Sequence, residues 1–176
     1  IDLQTVPVVI SGMASSSIGI EELPYANLPF SMSGENMILK ELKEKDAISN
    51  PIILLSGLCS NTDVMRGEET QLLGLVQNED FLESTDSQLY ILPGTHSKHV
   101  LVQSGYVVDF KTFMTGEVFA ALSQHTILKD SLVIMPLLNN EADEHHFLEG
   151  VHHAQTQSLL ESLFIIRTNF LFKKLS

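Results

Sequence analysis

Apolar residues in this chain come in short runs, most of them closed by a glycine, and polar stretches separate them. Residues 6–12, Val-Pro-Val-Val-Ile-Ser-Gly, have the pattern of a buried strand, and Pro7 places that strand at a start or an edge. Residues 52–57, Ile-Ile-Leu-Leu-Ser-Gly, repeat the pattern, and Gln88-Leu89-Tyr90-Ile91-Leu92 runs into a third glycine loop. Residues 99–103 and 106–110 alternate on either side of Ser104-Gly105, which predicts a hairpin. The period then changes. Residues 68–77 predict a helix with Leu72, Leu73, Leu75 and Val76 as its apolar side. Thr115-Gly116-Glu117 predicts the start of another, with threonine as cap and glutamate in the first turn, continued by Val118, Phe119, Ala121, Leu122 and His125. A polar helix is expected over 141–156, and an apolar one over 158–172 with Leu159, Leu160, Leu163, Phe164, Ile166 and Phe170. Residues 37–45 suit a short helix or an extended segment, and the acidic stretch 78–87 reads as a linker or domain boundary. The mixture defines an α/β chain.

In open α/β sheets, ligands bind at the carboxyl ends of the strands. The loops at 12–19, 57–67 and 93–98 therefore form one candidate site. In Pro93-Gly94-Thr95-His96-Ser97-Lys98, glycine permits close backbone approach, hydroxyls and N–H groups make a concavity suited to phosphate, and Lys98 adds a charge. The same residues also make an ordinary turn. In Asp63-Val64-Met65-Arg66-Gly67-Glu68-Glu69-Thr70-Gln71-Leu72-Leu73-Gly74, two carboxylates fall near a helix start, where acids are favoured simply as helix chemistry. Arg66 argues for more, being the only lysine or arginine between Lys45 and Lys98.

Composition narrows the classes. With 176 residues, 44% hydrophobic and 18% charged, the chain suits one large or two small soluble globular domains. No apolar run approaches the roughly 20 residues of a membrane span, and residues 1–4 lack the pattern of a signal peptide. A net charge of −12 with 10 lysines and arginines leaves no basic cluster for nucleic acid. The single Cys59 excludes an internal disulfide framework and a cysteine zinc site, and a cytoplasmic setting fits it. There is no Walker A pattern and no Gly-x-Ser-x-Gly elbow. Glu144-His145-His146 and His152-His153 could face a metal, as in a metal-dependent hydrolase, but lack zincin spacing and suit a solvated helix face better.

Four blocks together resemble the 2-keto-3-deoxygalactonokinase family (2-dehydro-3-deoxygalactonokinases), sugar-acid kinases of the actin/hexokinase-like, ribonuclease H-like fold. They are Ser11-Gly12-Met13 through Glu22-Leu23-Pro24-Tyr25; the stretch 63–71; Pro93-Gly94-Thr95-His96-Ser97-Lys98; and Asp109-Phe110-Lys111-Thr112-Phe113-Met114-Thr115-Gly116-Glu117. Their order and spacing match along residues 6–125 and more loosely beyond. The resemblance implies ATP-dependent, magnesium-dependent phosphorylation of the terminal hydroxyl of a 2-keto-3-deoxy sugar acid, as in galactonate catabolism. It implies a sugar acid and a nucleotide as small-molecule partners, and a homodimer is compatible with it. Gly94 and Thr95, with His96, Ser97 and Lys98, would contact the nucleotide phosphates. Glu68 takes the base position on the family register, with Glu69 the adjacent alternative. Arg66 would clamp the substrate carboxylate or orient Glu68 and the phosphates, and Ser15, Ser16, Glu22 and Tyr25 are candidates for the sugar hydroxyls.

Ile20 stands where the family usually carries an aromatic residue. The family's Asp-x-Gly-Thr phosphate motif and its adenine-binding glycine motif are both absent from this sequence. The chain is therefore expected to be the middle of a kinase, with residues 1–80 ending the first lobe and 81–176 beginning the second, and to be inactive alone. The competing expectation is a non-catalytic or degenerate actin-like module that binds a sugar acid or a protein partner.

Overall fold

The computed structural model describes residues 6–42, 50–75, 86–132 and 141–175. Residues 78–85 of the expected linker at 78–87, the end of the 37–45 segment beyond residue 42, and the last two positions of the 68–77 helix lie outside the described residues. The chain divides into two compact units, Ile1–Gly116 and Glu117–Ser176.

The first unit holds three small sheets. In one, β1 (Val8–Ile10) lies parallel to β5 (Ile52–Leu55), pairing Val8 with Ile52, and β4 (Leu39–Leu42) runs antiparallel on the other side of β5. In the second, β2 (Ala26–Asn27) is parallel to β6 (Leu58–Cys59), which pairs antiparallel with β7 (Val64–Met65). The third is wholly antiparallel, in the order β3 (Phe30–Ser31), β10 (Tyr106–Phe113), β9 (Ser97–Gln103), β8 (Gln88–Leu92). Ser104 and Gly105 both take positive φ, 47° and 75°, which is what a two-residue hairpin turn between twisted strands demands.

Two expectations need correction. The three glycine-closed strands do not share a sheet: β1 and β5 are neighbours, whereas β8 edges the separate antiparallel sheet. Nor are all three buried. Val9 is 57% exposed on edge strand β1, and Leu89 and Ile91 are 61% and 56% exposed on β8. On β8 only alternate side chains are covered, one face being open, so an unbroken apolar run does not require two buried faces. The ambiguous 37–45 segment resolves, in its described part, as strand β4.

One core cluster ties the second and third sheets to helix α1 (Glu68–Leu75): Ala26, Phe30, Leu58, Met65, Leu72, Val100, Val102, Val107 and Phe110 are all buried together. A smaller one joins Leu23 to Leu42, Ile52 and Leu54. The second unit contains most of α2 (Thr115–His125), a 3-10 segment Ile127–Ser131, α3 (Glu141–Thr156) and α4 (Leu159–Leu175). Thr126 caps the 3-10 segment, its Oγ1 accepting from the Leu128 N–H at 3.2 Å. Arg167 of α4 donates to Ser131 Oγ at 3.0 Å. No helix among the described residues is long and apolar enough to cross a membrane.

Candidate functional site

The site is built where β7 turns into α1. Gly67 sits at φ 113°, a conformation that favours glycine, and a Cβ there would stand 3.4 Å from Gly12 Cα. The turn is braced by the residues that follow it. Glu68 Oε2 accepts from the Arg66 N–H at 3.1 Å, and the Gly67 N–H is shared by both Glu69 oxygens at 2.8 Å. Thr70 Oγ1 donates to the Gly67 carbonyl at 2.5 Å. The two glutamates thus satisfy N–H donors at the helix start, and the Thr70 hydroxyl engages the Gly67 carbonyl.

The two glutamates differ in surroundings. Glu69 is fully buried, whereas the Glu68 side chain keeps 26% of its surface and lines a cavity. Burial pushes the Glu69 carboxyl above the usual value of 4.5. Hydrogen bonds from its own N–H and that of Gly67 oppose this, the charge of Glu68 adds to it, and Arg66 opposes it. The folded chain thus holds the Glu69 proton to a higher pH than the unfolded chain does. Any stability tied to that proton is present below about pH 4.5 and is lost as pH rises through the raised value. Glu69→Gln, neutral throughout, is expected to flatten this decline in melting temperature between acid and neutral pH. An unchanged decline in the variant would assign it to another group.

Arg66 points back into the chain. Its Nη1 donates to Ser15 O at 2.6 Å and Ser15 Oγ at 2.7 Å, and Nη2 donates to Leu23 O at 3.3 Å. Its guanidinium carbon lies 4.2 Å from the centre of the Tyr25 ring. Arg66 therefore fastens the 15–25 segment to the head of α1. Ser15 is buried and also donates to Gly12 O, Ser16 donates to Met13 O at 2.7 Å, and Glu22 is exposed.

The third loop arrives between β8 and β9. Gly94, Thr95 and His96 are exposed, while Ser97 and Lys98 turn inward and are buried. Ser97 Oγ is hydrogen-bonded to Thr115 Oγ1, and a Cβ on Gly116 would fall 2.7 Å from the Gly94 carbonyl oxygen. Only glycine at 116 lets the start of α2 pack this closely under the turn.

A cavity of about 480 Å³ is lined by Ser11, Gly12, Arg66, Gly67, Glu68, Thr70, Gln71, Leu92, Pro93, Gly94, Thr95 and His96. The structure thus brings Glu68 and Arg66 together with Gly94, Thr95 and His96. It leaves Glu69, Ser97, Lys98, Ser15, Ser16, Glu22 and Tyr25 off the lining. Ser11, Thr70 and Gln71 line it as well; they lie inside the motif blocks, each one or three positions from a glycine, and that spacing is their only mark in the sequence. A larger cavity of about 650 Å³, around Asn27, Cys59, Ser60, Thr62 and Asp109, has no glycine on its described lining. The rings of His145 and His146 on α3 are 5.8 Å apart, and among the described residues no group of three or more His, Cys, Asp or Glu could hold a metal.

A carboxylate at a helix start facing a Gly-Thr turn across a polar cavity suits a group transfer between a hydroxyl and a phosphate. Relatives give this class a name. The chain belongs to the 2-keto-3-deoxy-galactonokinase family, whose profile matches residues 2–176. It is 35% identical over 170 residues to the 2-dehydro-3-deoxygalactonokinase of Escherichia coli (strain K12), covering 93% of this chain and 52% of that protein. It is 37% identical over 130 residues to a Rhizobium meliloti (strain 1021) protein named as a probable 2-dehydro-3-deoxygalactonokinase, covering 72% of this chain and 40% of that one. The crystal structure of a Sinorhizobium meliloti protein assigned to the 2-dehydro-3-deoxygalactonokinases superposes with a TM-score of 0.75 at 30% identity, covering 96% of this chain and 54% of that one. The chain spans about half the length of the relatives it matches.

Proposed function

We propose that this chain carries the reacting centre of an ATP-dependent sugar-acid kinase of the actin/hexokinase-like fold. Its substrate would be 2-keto-3-deoxygalactonate or a similar 2-keto-3-deoxy sugar acid, phosphorylated on the terminal hydroxyl. The observation that carries the reading is that Glu68 and the exposed 94–96 turn line one cavity.

Glu68 is the base. Its Oε2 is held by the Arg66 N–H, which leaves Oε1 to take the proton of the attacking hydroxyl. As that proton leaves, the hydroxyl oxygen bonds the γ-phosphorus and the bond to the bridging oxygen breaks, with ADP departing. Such transfers rest mainly on positioning and charge neutralisation. The N–H groups of residues 94–96 and the hydroxyls of Ser11, Thr70 and Thr95 suit phosphate oxygens in number and polarity. Among the described residues Glu68 is the one carboxylate on the lining, which fits a magnesium ion held mostly by nucleotide oxygens and water rather than by a protein cage. That ion, when bound, supplies charge neutralisation to the phosphates. Arg66 carries the choice between orienting the site and clamping the substrate carboxylate.

The test is a coupled assay of ADP release over a panel of sugar acids, using the chain extended to the length of its relatives. Turnover is expected with 2-keto-3-deoxy acids and not with the corresponding neutral sugars. Nucleotide binding without turnover on any member would instead support the degenerate module.

A further inference from the structure

We propose that Lys98 is a positioning residue for Glu68 and not a ligand of the nucleotide phosphates; this rests on the reading of Glu68 as the base. Strand β9 exposes alternate residues to alternate faces, so Lys98 shares its face with Val100 and Val102. All three are buried, Lys98 to 5% exposure. A charge taken into an apolar face must be compensated.

The compensation is specific. Lys98 Nζ donates to Val64 O at 2.9 Å and to Thr112 Oγ1 at 2.7 Å, and it lies 4.0 Å from Glu68 Oε1. Thr112 stands directly opposite Lys98 in the β9–β10 register. Its hydroxyl donates to Asp63 Oδ1 at 2.8 Å and its N–H to Asp63 Oδ2 at 2.6 Å. Asp63 Oδ1 also accepts from the Val64 N–H at 2.7 Å. Asp63 therefore orients Thr112, and Thr112 with the Val64 carbonyl fixes two of the three ammonium N–H groups. The third has the Glu68 carboxylate within reach.

Lys98 is absent from the cavity lining, so it stands behind Glu68 rather than beside a phosphate. With Oε2 held by the Arg66 N–H and the ammonium at ion-pair distance from Oε1, the Glu68 carboxylate is drawn toward one orientation while Oε1 stays open to a proton. That orientation is favoured before a substrate arrives. Displacements of about 1 Å in a reacting group can lower a rate ~10²-fold, so this restraint is large enough to matter.

The experiment uses the chain extended to the length of its relatives, with Lys98→Ala and Lys98→Met. Expected is a ~10²-fold loss of kcat with KM for ATP unchanged, an unchanged dissociation constant for ATP measured by displacement of a fluorescent nucleotide, and partial rescue of Lys98→Ala, but not of Lys98→Met, by ethylammonium. A rise in the ATP dissociation constant with kcat retained would make Lys98 a phosphate ligand and overturn the proposal, as would wild-type kinetics or an equal loss in both variants with no rescue. A second readout needs no activity. The melting-temperature losses of Lys98→Met and Glu68→Gln should be non-additive in the double variant, because the two groups interact. Additive losses reject the pairing. A wild-type protein inactive on every sugar acid would reject the kinase reading, and the thermal cycle would still decide the pairing.

Discussion

Glu68→Gln, in the chain extended to the length of its relatives, is expected to lower kcat by about 10²–10⁴-fold while nucleotide affinity is retained. Glutamine preserves the shape of the side chain and keeps one oxygen to accept from the Arg66 N–H. What it loses is the capacity to take the proton of the attacking hydroxyl. The adjacent Glu69 supplies the control. It is buried, its oxygens converge on the Gly67 N–H, and it is off the cavity lining, so Glu69→Gln should act on stability and on its pH dependence before it acts on turnover. Steady-state kinetics of both variants decide the matter. Were Glu69→Gln to abolish turnover and Glu68→Gln to leave it intact, the roles would be exchanged and the catalytic register shifted by one residue.

The start of helix α1 was legible because glycine, acid and apolar positions in the 63–74 stretch all pointed to one turn-helix unit. The hairpin around Ser104-Gly105 was legible for a similar reason: two alternating runs and a turn pair agree with one another. Less could be read where pairing is short. β2, β3, β6 and β7 are two residues each, too short for any period, and they owe their existence to partners distant in sequence. The sorting of strands into sheets was hidden for the same cause. Glycine-closed runs look alike whether they lie in a parallel sheet, as β1 and β5 do, or along the edge of an antiparallel one, as β8 does. Lys98 illustrates the limit at the site itself. Adjacency to Gly94-Thr95 suggested a phosphate contact, whereas the two-residue period of β9 puts Lys98 on the buried face it shares with Val100 and Val102. The positions of Asp63 and Thr112 were inside the motif blocks, but their shared network needs a register between β9 and β10 and a crossing from β7 that no local pattern encodes.

Arg66→Ala is expected to be the most damaging change to the architecture of the site, lowering stability by about 2–4 kcal/mol on the basis of hydrogen bonds made by a charged donor. The substitution removes three bonds to Ser15 and Leu23 and the guanidinium packed against Tyr25, leaving buried Ser15 with the Leu23 N–H on its carbonyl and Gly12 O on its hydroxyl. The backbone N–H that holds Glu68 survives the mutation, so the head of α1 is not lost directly. What loosens is the 15–25 segment, together with Gly12, whose backbone packs against Gly67 and lines the cavity. Arg66→Lys should restore little, because an ammonium cannot reach the Ser15 and Leu23 oxygens with the fork of a guanidinium. Chemical denaturation measures the stability loss, and steady-state kinetics separate the two functional roles. A rise in KM for the sugar acid larger than that for ATP, at retained stability, identifies Arg66 as the carboxylate clamp. A loss of stability accompanied by equal effects on both substrates makes it a strut, since a disordered cavity wall penalises the sugar acid and the nucleotide alike.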